Sequence, residues 1–431
     1  MTTTMTKWAL LIALLAATGC SETETEIVVD SGDDDQVALG ITTNLKVEAG
    51  MKSATKSVAT GSLITYAADD YTDDDLVPGL GIVITNKSGN AWYTPDGTTY
   101  TGHHVWYMGD EKGANWKSIK TKGADFAATA EEPYYLTKEV GQVYAYYPYS
   151  TSSAPASYSD LKIGVSILPS GTIDAKTNNA KKYWYNNSWA SNKTNLGVNL
   201  SQKTEKDYLY FAATGGRYVN NGRADGQAPV KPEADPDNNN QDNPGYKINL
   251  DMKHAMSMVS FRVYDGGKLS TKDVNFKRFR VKNADSGSKP FKMGTGYMAL
   301  TDGTITPNSQ SYGDISRDVE NYILMRQVET GEQQSDKAFI ANGSTVNAMQ
   351  VCKAVSAMVY PTTFQDNEIE VDITLQEGSN QAVVYTVSLP ANTWDANSNY
   401  IYTFSAGRNK LTVMDVSVEE WNEVDEDEIP L

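Results

Sequence analysis

The chain has 431 residues, 54 acidic against 37 basic side chains, a formal net charge of −17, two cysteines and three histidines. That charge balance repels phosphate backbones and anionic lipid surfaces, which excludes nucleic acid as a partner. With three histidines the usual general base and favoured transition-metal ligand are nearly absent, so no enzyme, cofactor or metal centre is expected. The length exceeds what one core organises, and two domains are the default.

Residues 1–19 read as a secretion signal. Lys7 precedes the apolar run Trp8–Ala17, about half the length needed to cross roughly 30 Å of hydrocarbon. The run closes as Ala17-Thr18-Gly19-Cys20. Small residues before a cysteine are what a lipoprotein signal peptidase requires: the thiol is acylated, with palmitate for example, and the chain is then cut so that the cysteine becomes residue one. Cys20 is therefore the expected lipid anchor; the alternative is an ordinary signal with an incidental cysteine. Beyond Cys20 the only thiol is Cys352, so the processed chain has no internal disulfide and relies on packing.

Residues 20–60 hold an acidic tether, a strand and a loop. The strand is the cleanest alternation in the chain, with Val37, Leu39, Ile41, Thr43, Leu45 and Val47 on one face. Such a strand supplies side chains to a core groove and a ladder of main-chain hydrogen bonds to its neighbours. The loop behind it is small and polar and carries Lys52 and Lys56, an easy target for a trypsin-like protease. A strand that completes a core yet hangs between an anchor and a cuttable loop suits removal and replacement by a strand from another subunit. Pattern alone favours the plainer reading, an ordinary first strand and an ordinary loop.

From residue 61 onward apolar residues recur at period two. Examples are Leu161, Ile163, Val165 and Ile167; Ile369, Val371, Ile373 and Leu375; Val383, Tyr385, Val387 and Leu389; and Tyr400–Phe404. Each reads as a half-buried antiparallel strand. No amphipathic helix exceeds about three turns, and Gly, Asn, Asp and Ser punctuate the runs, so the chain reads as mainly β, built of sandwiches. Between Ala224 and Tyr246 lie Pro229, Pro232, Pro236 and Pro244 among Asp and Asn, a solvated linker. It closes an N-terminal domain, 61–245, and opens a C-terminal one, 246–431. No fixed-period repeat is visible.

Chemical constellations are few. Adjacent His103 and His104 on a strand point to opposite faces and cannot easily share a metal, while His254 heads an apolar run as a strand-edge or core histidine. Asp33–Asp35 and the acidic stretch 69–75 lack calcium-loop spacing. Gly79-Leu-Gly81 lacks the third glycine of a dinucleotide loop, and no nucleophile elbow occurs. Trp92, Tyr93, Tyr100, Trp106, Tyr107 and Trp116 offer a platform for sugar rings, although packing on a sandwich explains them better. In the last segment Leu411 and Val413 share one parity while Val416 and Val418 share the other, which places a bulge near Met414 or Asp415; Trp421 would pin the end.

Several segments, in order, resemble the fimbrillin family, the FimA-like and Mfa-like subunits of type V pili in Bacteroidetes. They are Val143-Tyr-Ala-Tyr-Tyr-Pro-Tyr-Ser150, Asp207-Tyr-Leu-Tyr-Phe-Ala212, Lys253-His-Ala-Met-Ser-Met-Val-Ser-Phe-Arg-Val263, Trp394, Tyr400–Phe404, Leu411–Val413 and Trp421. A cysteine followed by Glu22, Glu24 and Glu26 also resembles the signal that places lipoproteins of these bacteria on the outer face of the outer membrane. The resemblance implies two tandem antiparallel β-sandwich domains of transthyretin-like topology, and export as a lipoprotein to the cell outer membrane and fimbrium. It implies removal of the first strand by a surface protease and polymerisation with other pilin subunits by strand donation. On this chain the cut falls after Lys46, Lys52 or Lys56, best at the latter two, and the candidate donor is Leu411, Val413, Val416, Val418 and Trp421. This stretch offers only lysines where shaft subunits of the family carry arginine, so an uncut anchor subunit stays open. The implied function is cell adhesion through fimbriae, with host or bacterial surface proteins or glycans as ligands. The rivals are a glycan-binding lipoprotein of a polysaccharide-uptake system and a secreted hydrolase, for which no carboxylate pair stands out.

Overall fold

In a computed structural model of the chain, Leu80–Asn86 lacks polar alternation because both faces of this strand are covered. It lies inside an antiparallel sheet ordered Met252–His254, Leu209–Phe211, Gly141–Tyr147, Leu80–Asn86, His104–Gly109, Trp116–Ile119. One face of this sheet, through Leu80, Ile82, Ile84, Val143 and Ala145, joins a core with Leu39, Ile41, Ile248 and Leu250. The other face, through Val83, Tyr144 and Tyr146, joins a larger core.

The structure describes residues 37–43, 47–48, 63–64, 79–93, 104–109, 116–119, 133–149, 154–175, 199–222 and 245–420, apart from internal stretches of the last two ranges, the longest being 341–351 and 329–337. All of these lie in one compact unit, Asp35–Leu431. Among the described residues every regular element is a strand, as expected of a mainly β chain.

The larger core lies between two more sheets, which makes a sandwich. One is ordered Ser170–Asp174, Asp314–Glu320, Val274–Asn283, Ile369–Glu377, Val383–Ser388. In the other, Ser257–Asp265 is flanked by Ala354–Val359 and Ser398–Ala406, and Leu411–Glu420 closes the edge beside Ser398–Ala406. The Phe261 and Phe279 rings meet between the sheets at 4.8 Å. Trp394, fully buried, is boxed by Phe291, Phe364 and Tyr402. The outward face of the first of these sheets carries a cross-strand charge ladder in which Arg280 bonds Asp314 and Lys282 lies 3.1 Å from Glu370.

The antiparallel expectation is corrected at several ladders. Ser257–Asp265 runs parallel to Ser398–Ala406, Ser170–Asp174 parallel to Asp314–Glu320, and Gly40–Thr43 parallel to Lys247–Leu250. A hairpin forces antiparallel order only on neighbours in sequence; these pairs are far apart, so the route of the chain sets their direction. Pairing also crosses residue 246 in both directions. Lys162–Ser166 pairs with Thr295–Ala299 and Ser170–Asp174 with Asp314–Glu320, while Met252–His254 completes the first sheet.

Candidate functional site: the seat of the first strand

The first strand changes partner midway. Val37–Ala38 pairs with Tyr135–Leu136, and the Leu39 N–H donates to the Tyr134 carbonyl at 2.8 Å. One residue on, the Gly40 N–H donates to the Tyr246 carbonyl at 2.9 Å, and Gly40–Thr43 continues along Lys247–Leu250. The strand is thus wedged between a segment before the linker and one after it. Gly40 lets it lie flush, since a Cβ there would stand 2.9 Å from Cγ of Lys247.

Alternation decides what the wedge buries. Leu39 is 5% exposed and Ile41 8%, both within the smaller core, whereas Thr42 faces out and its hydroxyl bonds Asn249 at 3.2 Å. Burying two such side chains contributes on the order of 3–6 kcal/mol before the ladder bonds are counted, comparable with the whole net stability of many domains. The floor of the seat is aromatic. The Tyr107 hydroxyl donates to the Leu39 carbonyl at 3.3 Å. The Tyr93 hydroxyl donates to the Glu139 carbonyl at 2.9 Å and accepts the Thr137 N–H at 3.1 Å, and burial pushes its pKa up.

Val37 and Thr43 are half-buried at the two ends of the seat, and the Val47 backbone pairs with Leu63. Cys20, Leu45, Lys46, Lys52, Lys56 and Trp421 lie outside the described residues, as do the tether 20–36 and most of the linker. The structure therefore brings Leu39 and Ile41 together in one groove, and the cut and anchor positions fall beyond it.

The C-terminal candidate strand, Leu411–Glu420, pairs only with Ser398–Ala406 among the described residues. Its register slips so that Thr403 faces Asp415 and Phe404 faces Val413, leaving Met414 as the bulged residue, where the parity change placed it. Leu411 is buried, Val413 and Val416 pack on the larger core, and Met414 and Val418 are exposed. Among the described residues it is an edge strand with one ladder neighbour.

The aromatic cluster resolves into buried packing. Tyr93, Trp106 and Tyr107 are buried, and Trp106, Tyr149 and His104 stack at 5.2 and 5.0 Å, with His104 Nε2 2.7 Å from the Tyr146 hydroxyl. Tyr100 and His103 lie outside the described residues. Gly79 and Gly81, unconvincing as a dinucleotide loop, have a packing role here. A Cβ on Gly81 would meet the Tyr146 ring at 2.3 Å, and one on Gly79, whose φ is +139°, would meet Trp106 Nε1 at 2.2 Å.

Sequence reasoning missed the polar keystone of the sandwich. Glu205 Oε1 accepts from Arg317 Nη2 at 2.6 Å and from the Met358 N–H at 2.7 Å, tying together both sheets of the sandwich. Two residues on, Asp207 contacts His254 Nδ1 at 2.6 Å, and the Tyr208 hydroxyl accepts the Ser166 N–H at 3.1 Å. His254, expected at a strand edge or in the core, is buried; Arg317 sits in the mostly polar strand Asp-Ile-Ser-Arg-Asp-Val-Glu.

No curated protein matches the sequence. The chain is similar in structure to a protein from Bacteroides ovatus provisionally called a cell adhesion protein, at 12% identity and a TM-score of 0.44, covering 90% of this chain and 99% of that one. It is similar to a fimbrial protein from Bacteroides vulgatus at 12% identity and 0.43, covering 89% and 99%. A third is the tip fimbrial protein Mfa3 from Porphyromonas gingivalis with C-terminal truncation, at 10% identity and 0.31, covering 80% and 94%. In sequence, residues 234–421 match the fimbrillin-like family. Over residues 234–421 the chain is thus similar to the fimbrillin-like family, the one its ordered aromatic segments resemble.

Proposed function

We propose that this protein is a structural or adhesive subunit of surface fimbriae, a structural protein and not an enzyme, which assembles with other pilin subunits. The fimbrillin-like match over 234–421 supports the family role, and the observation that carries the assembly mode is the wedged first strand, with Leu39 and Ile41 buried in a two-sided groove. In this reading Cys20 anchors the precursor in the outer membrane, a protease cuts after Lys46, Lys52 or Lys56, and the vacated groove takes a strand from another subunit. The donor lies in Leu411 to Trp421; among the described residues Leu411–Glu420 sits at a sheet edge with one ladder neighbour. Surface proteins or glycans would be the adhesion ligands.

Mass spectrometry of the mature protein recovered from its native cell surface tests this. A first residue just after Lys46, Lys52 or Lys56 is expected. An acylated Cys20 as the sole start would overturn strand removal and leave an anchor subunit or a glycan-binding lipoprotein.

A further inference from the structure

We propose that the edge strand Val383–Ser388 is a self-pairing surface, through which two copies of this chain associate laterally as an antiparallel, two-fold pair. Open sheet edges are templates for pairing, and natural proteins protect them with charge, bulges, or a covering segment. Two other edges of the sandwich show those devices. Ser170–Asp174 ends on an acid and has Gln202 lying against Gly171, where a Cβ would come within 2.6 Å of it. Leu411–Glu420 carries the Met414 bulge together with Asp415, Glu419 and Glu420.

Among the described residues Val383–Ser388 carries no charge and no bulge, and no strand pairs with its outer edge. Gln381-Ala-Val-Val-Tyr-Thr-Val-Ser-Leu389 holds no charged residue. The charge ladder on the neighbouring strands, Arg280 with Asp372 and Lys282 with Glu370, stops before this strand, where Thr386 bonds Asp372 and Ser388 stands opposite Glu370. Among the described residues the outer edge is in no ladder; Leu411–Glu420 approaches without pairing. Apolar side chains are left in solvent on both faces, Val383 at 50% and Val384 at 58%.

The occupant follows from self-complementarity. A second copy of a chain of net charge −17 is repelled by most of the surface, but not by a neutral edge. A two-fold axis perpendicular to the sheet keeps each face on its own side, so residues of like parity must stand opposite one another. With Tyr385 on the axis, Val383 meets the second copy's Val387, and Val384 meets its Thr386. The inward row Val383, Tyr385, Val387, of which Tyr385 and Val387 already pack on the larger core, continues into the same row of the copy. Six residues of edge give an interface at or below the ~1,200 Å² of weak complexes, so the pair forms at high local concentration, as on a crowded surface.

This inference does not depend on strand removal, and its test leaves the first strand intact. The leaderless chain with Cys20→Ser is followed by sedimentation velocity over rising concentration, and single cysteines are then oxidised. A reversible dimer is expected, weakened at least tenfold by Val384→Glu with Thr386→Glu, which sets like charges opposite one another at exposed positions. Tyr385→Cys, on the axis, is expected to crosslink several-fold faster than Ser388→Cys. Should Tyr385→Cys loosen the core, Val384→Cys with Thr386→Cys, which this register sets opposite one another, takes its place and is expected to crosslink as fast. A monomer at every concentration, or a dimer indifferent to the two glutamates, overturns the proposal.

Discussion

Glu205 and Arg317 meet at 2.6 Å with side chains 1% and 0% exposed, and the same carboxylate oxygen takes the Met358 N–H from the opposite sheet. A buried pair is costly to desolvate, and removing one partner strands the other charge. Glu205→Ala is expected to lower stability by about 3–5 kcal/mol, while Glu205→Leu with Arg317→Met stays within about 1–2 kcal/mol of the parent. Urea denaturation of the three proteins checks this; equal losses in the single and double variants would mean that the pair itself stabilises.

Leu39 has a direct consequence for the strand seat. Leu39→Ala is expected to cost about 2–5 kcal/mol by opening a cavity between the first strand and the first sheet, and deletion of Val37 to Val47 should expose the groove. The truncated protein is expected to oligomerise or to unfold at lower urea, and a synthetic peptide of residues 37–47 should restore its midpoint. A truncation that stays monomeric and equally stable sinks strand exchange.

Gly81 lies beneath the Tyr146 ring with no room for a methyl group. Gly81→Ala should displace that ring and its bond to His104, costing about 1–3 kcal/mol as overpacking does. Thermal unfolding reads the loss, and an unchanged midpoint would show that the ring can move freely.

Cys352 is buried beside Arg262, and burial pushes its thiol pKa from 9.0 up to about 12. Burial raises Tyr93, Tyr208 and Tyr402 above 10.0 in the same direction. A group whose folded pKa is raised binds its proton more tightly when folded. Its stabilisation is therefore whole below the unfolded pKa and is lost as pH rises toward the folded one. The urea midpoint should be level to about pH 9 and then fall, with Cys352 unreactive toward iodoacetamide in the folded Cys20→Ser protein and reactive once unfolded. A midpoint that holds to about pH 11 contradicts this.

Much of the local structure was legible because period-two alternation reports one dry face and one wet one. Ile369, Val371, Ile373 and Leu375 face the core as the pattern requires, and the bulge at Met414 follows from a parity change that only an extra residue can produce. Leu80–Asn86 escaped the pattern because a strand dry on both faces has no alternation to read. The seat was half legible: Leu39 and Ile41 were on the expected face, but nothing local reveals that the groove is walled by Tyr135–Leu136 on one side and Lys247–Leu250 on the other.

What the chain's own order of residues determined is therefore the strand content, which face of each strand is apolar, and the absence of any obvious catalytic set. The tertiary structure alone decided which strands pair and in which direction, as with Ser257–Asp265 beside Ser398–Ala406, and that Arg317 is interior. The reason is range: alternation is a contact between a residue and the water or core at its own side, whereas pairing and charge burial depend on residues more than a hundred positions away.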